Sequence, residues 1–112
     1  MQKISLDALA RELLETAVTN TSGRAARTVY GGHEHTLRQT LISLRAGQSL
    51  SEHDNPGEAT LHVLHGRVRL HAAGEAWEAR LGDMLIIPDA RHSLDAIHDA
   101  VVLLTVAKTE RP

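Results

Sequence analysis

Cysteine is absent from the 112 residues, phenylalanine is absent too, and tyrosine and tryptophan occur once each. Without thiols the chain forms no disulfide, performs no thiol catalysis and builds no zinc–thiolate site. With so few rings, its core has to be aliphatic. No apolar run approaches the roughly 18–20 residues needed to span a bilayer. The opening "MQKISLDALARELL" lacks the apolar centre and small-residue cleavage site of a secretory signal, so a cytoplasmic location is expected. Charge of one sign is lacking as well: 12 Lys+Arg against 14 Asp+Glu leave −2 with histidine neutral. No Lys/Arg stripe occurs, so neither nucleic acid nor a membrane is expected as a partner.

What remains is one small domain's worth of aliphatic chain, 42% of it apolar, enough for a single core. Histidine is abundant, with eight residues at positions 33, 35, 53, 62, 65, 71, 92 and 98. No local tract explains them. Residues 5–18 carry a helical pattern. Leu6, Leu9, Ala10, Leu13, Leu14, Ala17 and Val18 fall on one face, Ser5 stands where a cap belongs and Asp7 is in the first turn. "TNTSGRAAR" then reads as a loop.

From Thr28 onward the pattern is one of short strands and turns. Strands are expected at 35–44, 49–55, 59–64, 67–71, 77–81, 84–88, 91–96 and 100–107. The turns are carried by "RAGQ", "NPGE", "HG", "AAGEA" and "GD". Pro88 stops one strand, and the last is apolar on both faces. Strands at this spacing indicate an all-β sandwich or barrel. The expected organisation is an N-terminal helix and loop over 1–27 and a β-barrel domain over 28–112.

Two stretches resemble the motifs of the cupin superfamily, the likeness covering roughly Leu41 to Val106. The first cupin motif reads Gly, five residues, His-x-His, three or four residues, Glu, six residues, Gly. In "SEHDNPGEATLHVLHG", preceded by Gly47, the first histidine is His53. Asn55 takes the place of the second, Ala59 that of the glutamate, and Gly66 closes the motif. The second motif reads Gly, five residues, Pro-x-Gly, two residues, His. In "GDMLIIPDARHSL", Gly82 and Pro88 are correctly spaced, Ala90 takes the glycine position and His92 comes one residue early. The resemblance implies an all-β fold, a jelly-roll barrel of the short single-domain kind with a short N-terminal helix. It also implies a site inside the barrel that would suit a divalent transition metal such as Zn, Ni, Fe or Mn.

Only part of that site is present. His53 and His92 are the expected metal ligands and, with Asn55 and Gln39, the expected ligand-binding residues. Asn55 offers a weak neutral oxygen and Ala59 offers nothing. Glu58 would help only if a bulge swung it inward. His62 shares the face opposite Ala59 and should point outward. His33 and His35 either reach the barrel mouth as a His-x-His pair or form a polar lead-in to a strand. Gln39, on the face of His35, Leu37 and Leu41, is either a polar group of the pocket or an edge residue. Arg67, Arg69 and His71 read as a solvated face, and Arg80 and Arg91 as solvent-facing or as holders of an anion near the mouth. Trp77 is expected under the helix or at an interface.

Two functions follow. The first is a module that binds a small molecule in its barrel, with at most a weak or degenerate metal site. The second is a metal-dependent cupin enzyme of dioxygenase or isomerase type, which needs at least three protein ligands and an open position. A homodimer is expected in either case.

Overall fold

The apolar stripe near the N-terminus folds as α1 (Leu6–Thr19). Ser5 is extended, and its hydroxyl accepts from the Ala8 N–H at 3.2 Å, satisfying one orphan donor of the first turn. At the other end, the Arg45 guanidinium donates to the carbonyl of Asn20 at 3.0 Å. A cation belongs there, where unsatisfied carbonyls point away from the helix. In this computed structural model residues 1–53 and 57–108 are described.

Nine strands follow among those residues: β1 (Arg24–Tyr30), β2 (Leu37–Leu44), β3 (Ser49–His53), β4 (Gly57–His65), β5 (Arg67–Ala72), β6 (Glu75–Arg80), β7 (Met84–Ile87), β8 (His92–Ala96) and β9 (Ala100–Lys108). The sequence pattern places most of them to within two residues. β1 differs: it begins at Arg24, inside the stretch expected to be a loop. Its residues Arg24, Ala26, Arg27 and Thr28 are exposed, so an edge strand with a wet surface shows no hydrophobic alternation to read.

The strands form two antiparallel sheets, one in the order β1-β2-β9-β4-β7 and the other β3-β8-β5-β6. They close face to face as a jelly roll. β9 lies in the middle of the larger sheet and is apolar on both sides for that reason. Val102, Leu104 and Val106 face the barrel core, while Val101 and Leu103 meet Ala10, Leu41 and the apolar face of α1. The helix thus covers the outside of the five-stranded sheet. The barrel core is aliphatic throughout, with Leu61, Val63, Val68, Leu70, Leu94 and Val102 all buried. Truncating one of these leucines to alanine typically costs about 2–5 kcal/mol.

The two ends of the barrel are distinct. At one end lie the links β2–β3, β4–β5, β6–β7 and β8–β9. Gly66, the whole of the β4–β5 link, has φ +76°, and a Cβ there would collide with the carbonyl of Asp99. At the other end lie the links β1–β2, β3–β4, β5–β6 and β7–β8, and with them the residues of interest.

Candidate site at one end of the barrel

His92 opens β8, whose residues alternate between buried and partly buried. His92, Leu94 and Ala96 take the interior positions, and the imidazole is only 5% exposed. Its Nδ1 lies 3.0 Å from the carbonyl oxygen of Ala90. A carbonyl can only accept, so in the neutral ring Nδ1 carries the proton and Nε2 is the acceptor or ligating nitrogen.

His53 ends β3 at the register position opposite His92. Opposed positions of an antiparallel pair belong to one face of the sheet. The pairing passes from Leu50 against Leu94 to His53 against His92, three residues on one strand against two on the other. This bulge matters. Strict alternation would group His53 with Ser49, whose hydroxyl bonds Asp95 on the outer face. The extra residue breaks that alternation in β3 and sets the backbone of His53 opposite that of His92. Asn55 lies outside the described residues.

The remaining candidates are placed as follows. Ala59 is buried on the interior face, 7% exposed, where the motif would have a carboxylate. Glu58 is exposed on the opposite face of β4, with Thr60 and His62, so the inward swing of Glu58 does not occur. Gln39 is a correction. It lies on the outer face of the five-stranded sheet, in register with Thr105, whose hydroxyl accepts from its side-chain amide at 3.2 Å. There it lines an apolar groove of about 550 Å³ with Ile4, Leu6, Val29, Tyr30 and Leu37. The interior face of β2 is the other one, since Ile42 and Leu44 pack into the barrel while Leu41 meets the helix.

His33 and His35 belong to the link between β1 and β2, at the same barrel end as His92. Both are exposed, and His35 packs edge-on against Tyr30 with ring centroids 5.2 Å apart. Trp77 is on β6, in the sheet away from α1, and 43% exposed. His71 joins a surface network. Its Nε2 lies 2.7 Å from one carboxylate oxygen of Asp95, and Ser49 donates to the other at 2.7 Å. These bonds, that from Ser49 foremost, hold the Asp95 carboxyl below the usual aspartate range. Beside it Glu78 bridges Arg67 at 3.0 Å and Arg69 at 3.2 Å, and the Arg69 bond leads in lowering its pKa.

The two motifs together would offer a metal three imidazoles and a carboxylate. Among the described residues no three of His, Asp and Glu come together as ligands. With a methyl group at Ala59 and Glu58 turned outward, these residues do not fit a four-ligand centre for Fe, Mn, Ni or Zn. No helix among them is long and apolar enough to cross a membrane.

No family model and no curated protein matches the sequence. Solved structures do match. A conserved protein of unknown function from Streptococcus pyogenes is 27% identical, with 82% of this chain and 80% of that one covered at a TM-score of 0.73. An RmlC-like cupin protein from Desulfovibrio desulfuricans is 26% identical, with 75% and 81% covered at a TM-score of 0.66. A mutant form of the salicylate 1,2-dioxygenase of Pseudoaminobacter salicylatoxidans is 24% identical with a TM-score of 0.77. The match takes in 93% of this chain but 35% of the dioxygenase.

Proposed function

Since the chain is a short domain of cupin fold, we propose that it is a binding module, holding a small molecule at the barrel end where His53 and His92 sit. One observation carries this reading: the interior position where the fold's metal carboxylate would stand is Ala59, and the neighbouring Glu58 faces solvent. Losing that carboxylate removes the ligand that would neutralise a divalent charge, so any remaining metal affinity is weak. A buried imidazole remains useful without metal, because in an aliphatic setting each hydrogen bond to a ligand is worth more than in water. Leucines supply the apolar contact that small-molecule sites need.

The second reading, a metal-dependent enzyme of dioxygenase or isomerase type, is favoured by the likeness in shape to salicylate dioxygenase. Fold alone does not carry chemistry across. The two readings separate on the metal content of the purified, untagged protein, measured with His53→Ala and His92→Ala. The binding-module reading expects well under one equivalent in all three. One equivalent of metal in the parent chain, lost in both variants, would establish the enzyme reading instead.

This reading also takes the chain as a twofold homodimer in the cytoplasm. Strand β7 supports the dimer. It is an edge strand with no charged residue or proline, and Met84 and Ile86 on its outer face are 59% and 71% exposed. Such an edge offers unpaired backbone groups. A second copy across a twofold axis would pair them and cover both side chains.

A further inference from the structure

Resting on the barrel-end reading above, we infer that Arg38 makes this a site for a small organic carboxylate, its guanidinium binding the anionic group.

The placement follows from register. Across the five-stranded sheet one row reads Arg38, Val106, Ala59, Ile87. Across the four-stranded sheet the row at the same end reads His53, His92, Ala72 and Glu75. The chain joins the two rows directly, since β3 leads to β4 and β7 to β8 at this end. Val106, Ala59, Ile87, His92 and Ala72 are buried on the interior face, and Arg38 shares that face with Thr40, Ile42 and Leu44. The next row inward is leucine: Leu104, Leu61 and Leu85 on one sheet, Leu50, Leu94 and Leu70 on the other. The end of the barrel thus has a cation on one wall, an imidazole on the other, two alanine methyl groups between them and an aliphatic floor.

The charge of Arg38 is the reason to expect an anion. It is partly buried, yet has no hydrogen bond or ion pair among the described residues. Cations drawn toward a core are ordinarily paired. Among the described residues the carboxylates placed at this end, Glu34, Glu58, Glu75 and Asp89, are exposed. Of the other cations at this end, Lys108 donates to the carbonyl of Gly32 at 2.9 Å, and Arg91, in the β7–β8 link, is exposed and has a partner of its own. No buried side-chain nitrogen or oxygen lacks a partner among the described residues. The unpaired donors of Arg38 are therefore accessible to solvent. Its planar fork matches a carboxylate in two parallel bonds, and the alanine and leucine surroundings suit an apolar body.

The test is an amide NMR titration of the whole chain with benzoate and butyrate, with their neutral amides benzamide and butyramide, and with inorganic phosphate. The expected result is that the carboxylates shift the resonances of 37–40 and 92–94, while the amides bind at least about tenfold more weakly. Arg38→Gln should lose at least about tenfold in carboxylate affinity with its spectrum otherwise folded. Arg38→Lys should fall between, keeping the charge without the fork. Equal binding of acid and amide, unchanged in Arg38→Gln, would overturn the role of Arg38 and leave barrel binding standing. Phosphate binding without carboxylate binding would overturn the ligand class. If no probe shifts the interior resonances, barrel binding itself fails, and this inference with it.

Discussion

At the scale of single residues, His92 and Asp95 show how two positions on one short strand serve opposite faces. His92 is buried beside the barrel end. Asp95, three residues on, lies outside with His71 and Ser49. Its carboxyl has a lowered pKa in the folded chain, so it adds stability above the ordinary aspartate range, and that contribution is lost as the pH falls through the folded value. The side chains of this pair are about two-fifths exposed, which limits the effect to about 1 kcal/mol or less. Asp95→Asn should therefore narrow the gap between urea stabilities at pH 7 and pH 3 by that amount. Identical gaps in the two proteins would remove Asp95 from the acid response. His92 stands out in the sequence beside Gly82 and Pro88, although one residue short of the motif's spacing. Arg38 does not, because both faces of β2 are apolar and nothing in "HTLRQTLISL" says which one the helix covers.

That ambiguity belongs to the scale of elements. Leu37 and Leu41 line the outside while Ile42 and Leu44 fill the barrel, so alternation finds the strand without giving its orientation. Gln39 and Arg38 exchange places for this reason alone. The β3 bulge has the same origin. A His-x-His spacing presumes a regular strand, whereas here an extra residue shifts the register of β3 just before His53. Turn residues and aliphatic runs, by contrast, made eight of the nine strands readable, the wet edge strand β1 being the exception. The other edge, β7, carries the prediction at this scale. Sedimentation should give a particle of twice 12.2 kDa, and Ile86→Glu should shift it to the monomer by placing a charge in the proposed contact. A parent chain that sediments as a monomer at all concentrations would end the homodimer proposal.

For the molecule as a whole, the architecture separates two jobs. α1 and the outside of the five-stranded sheet share one apolar cluster, and the barrel interior is another. Stability therefore draws on both layers, while the candidate site occupies the rim of one. At the opposite end the β4–β5 link is tight, as Gly66 shows. A domain built this way can lose its metal carboxylate without losing its fold, because Ala59 and Val106 keep the wall aliphatic and closed. The proposed function expects the His53 and His92 imidazoles to share the interior of this barrel end. The most direct measurement is the nuclear Overhauser contact between the ring protons of His53 and His92 in the folded chain. The account predicts cross-peaks between the two rings, and from both to interior methyl groups such as those of Val106 or Ile87. A His53 ring that shows contacts only to solvent-facing neighbours, with none to His92, would contradict it.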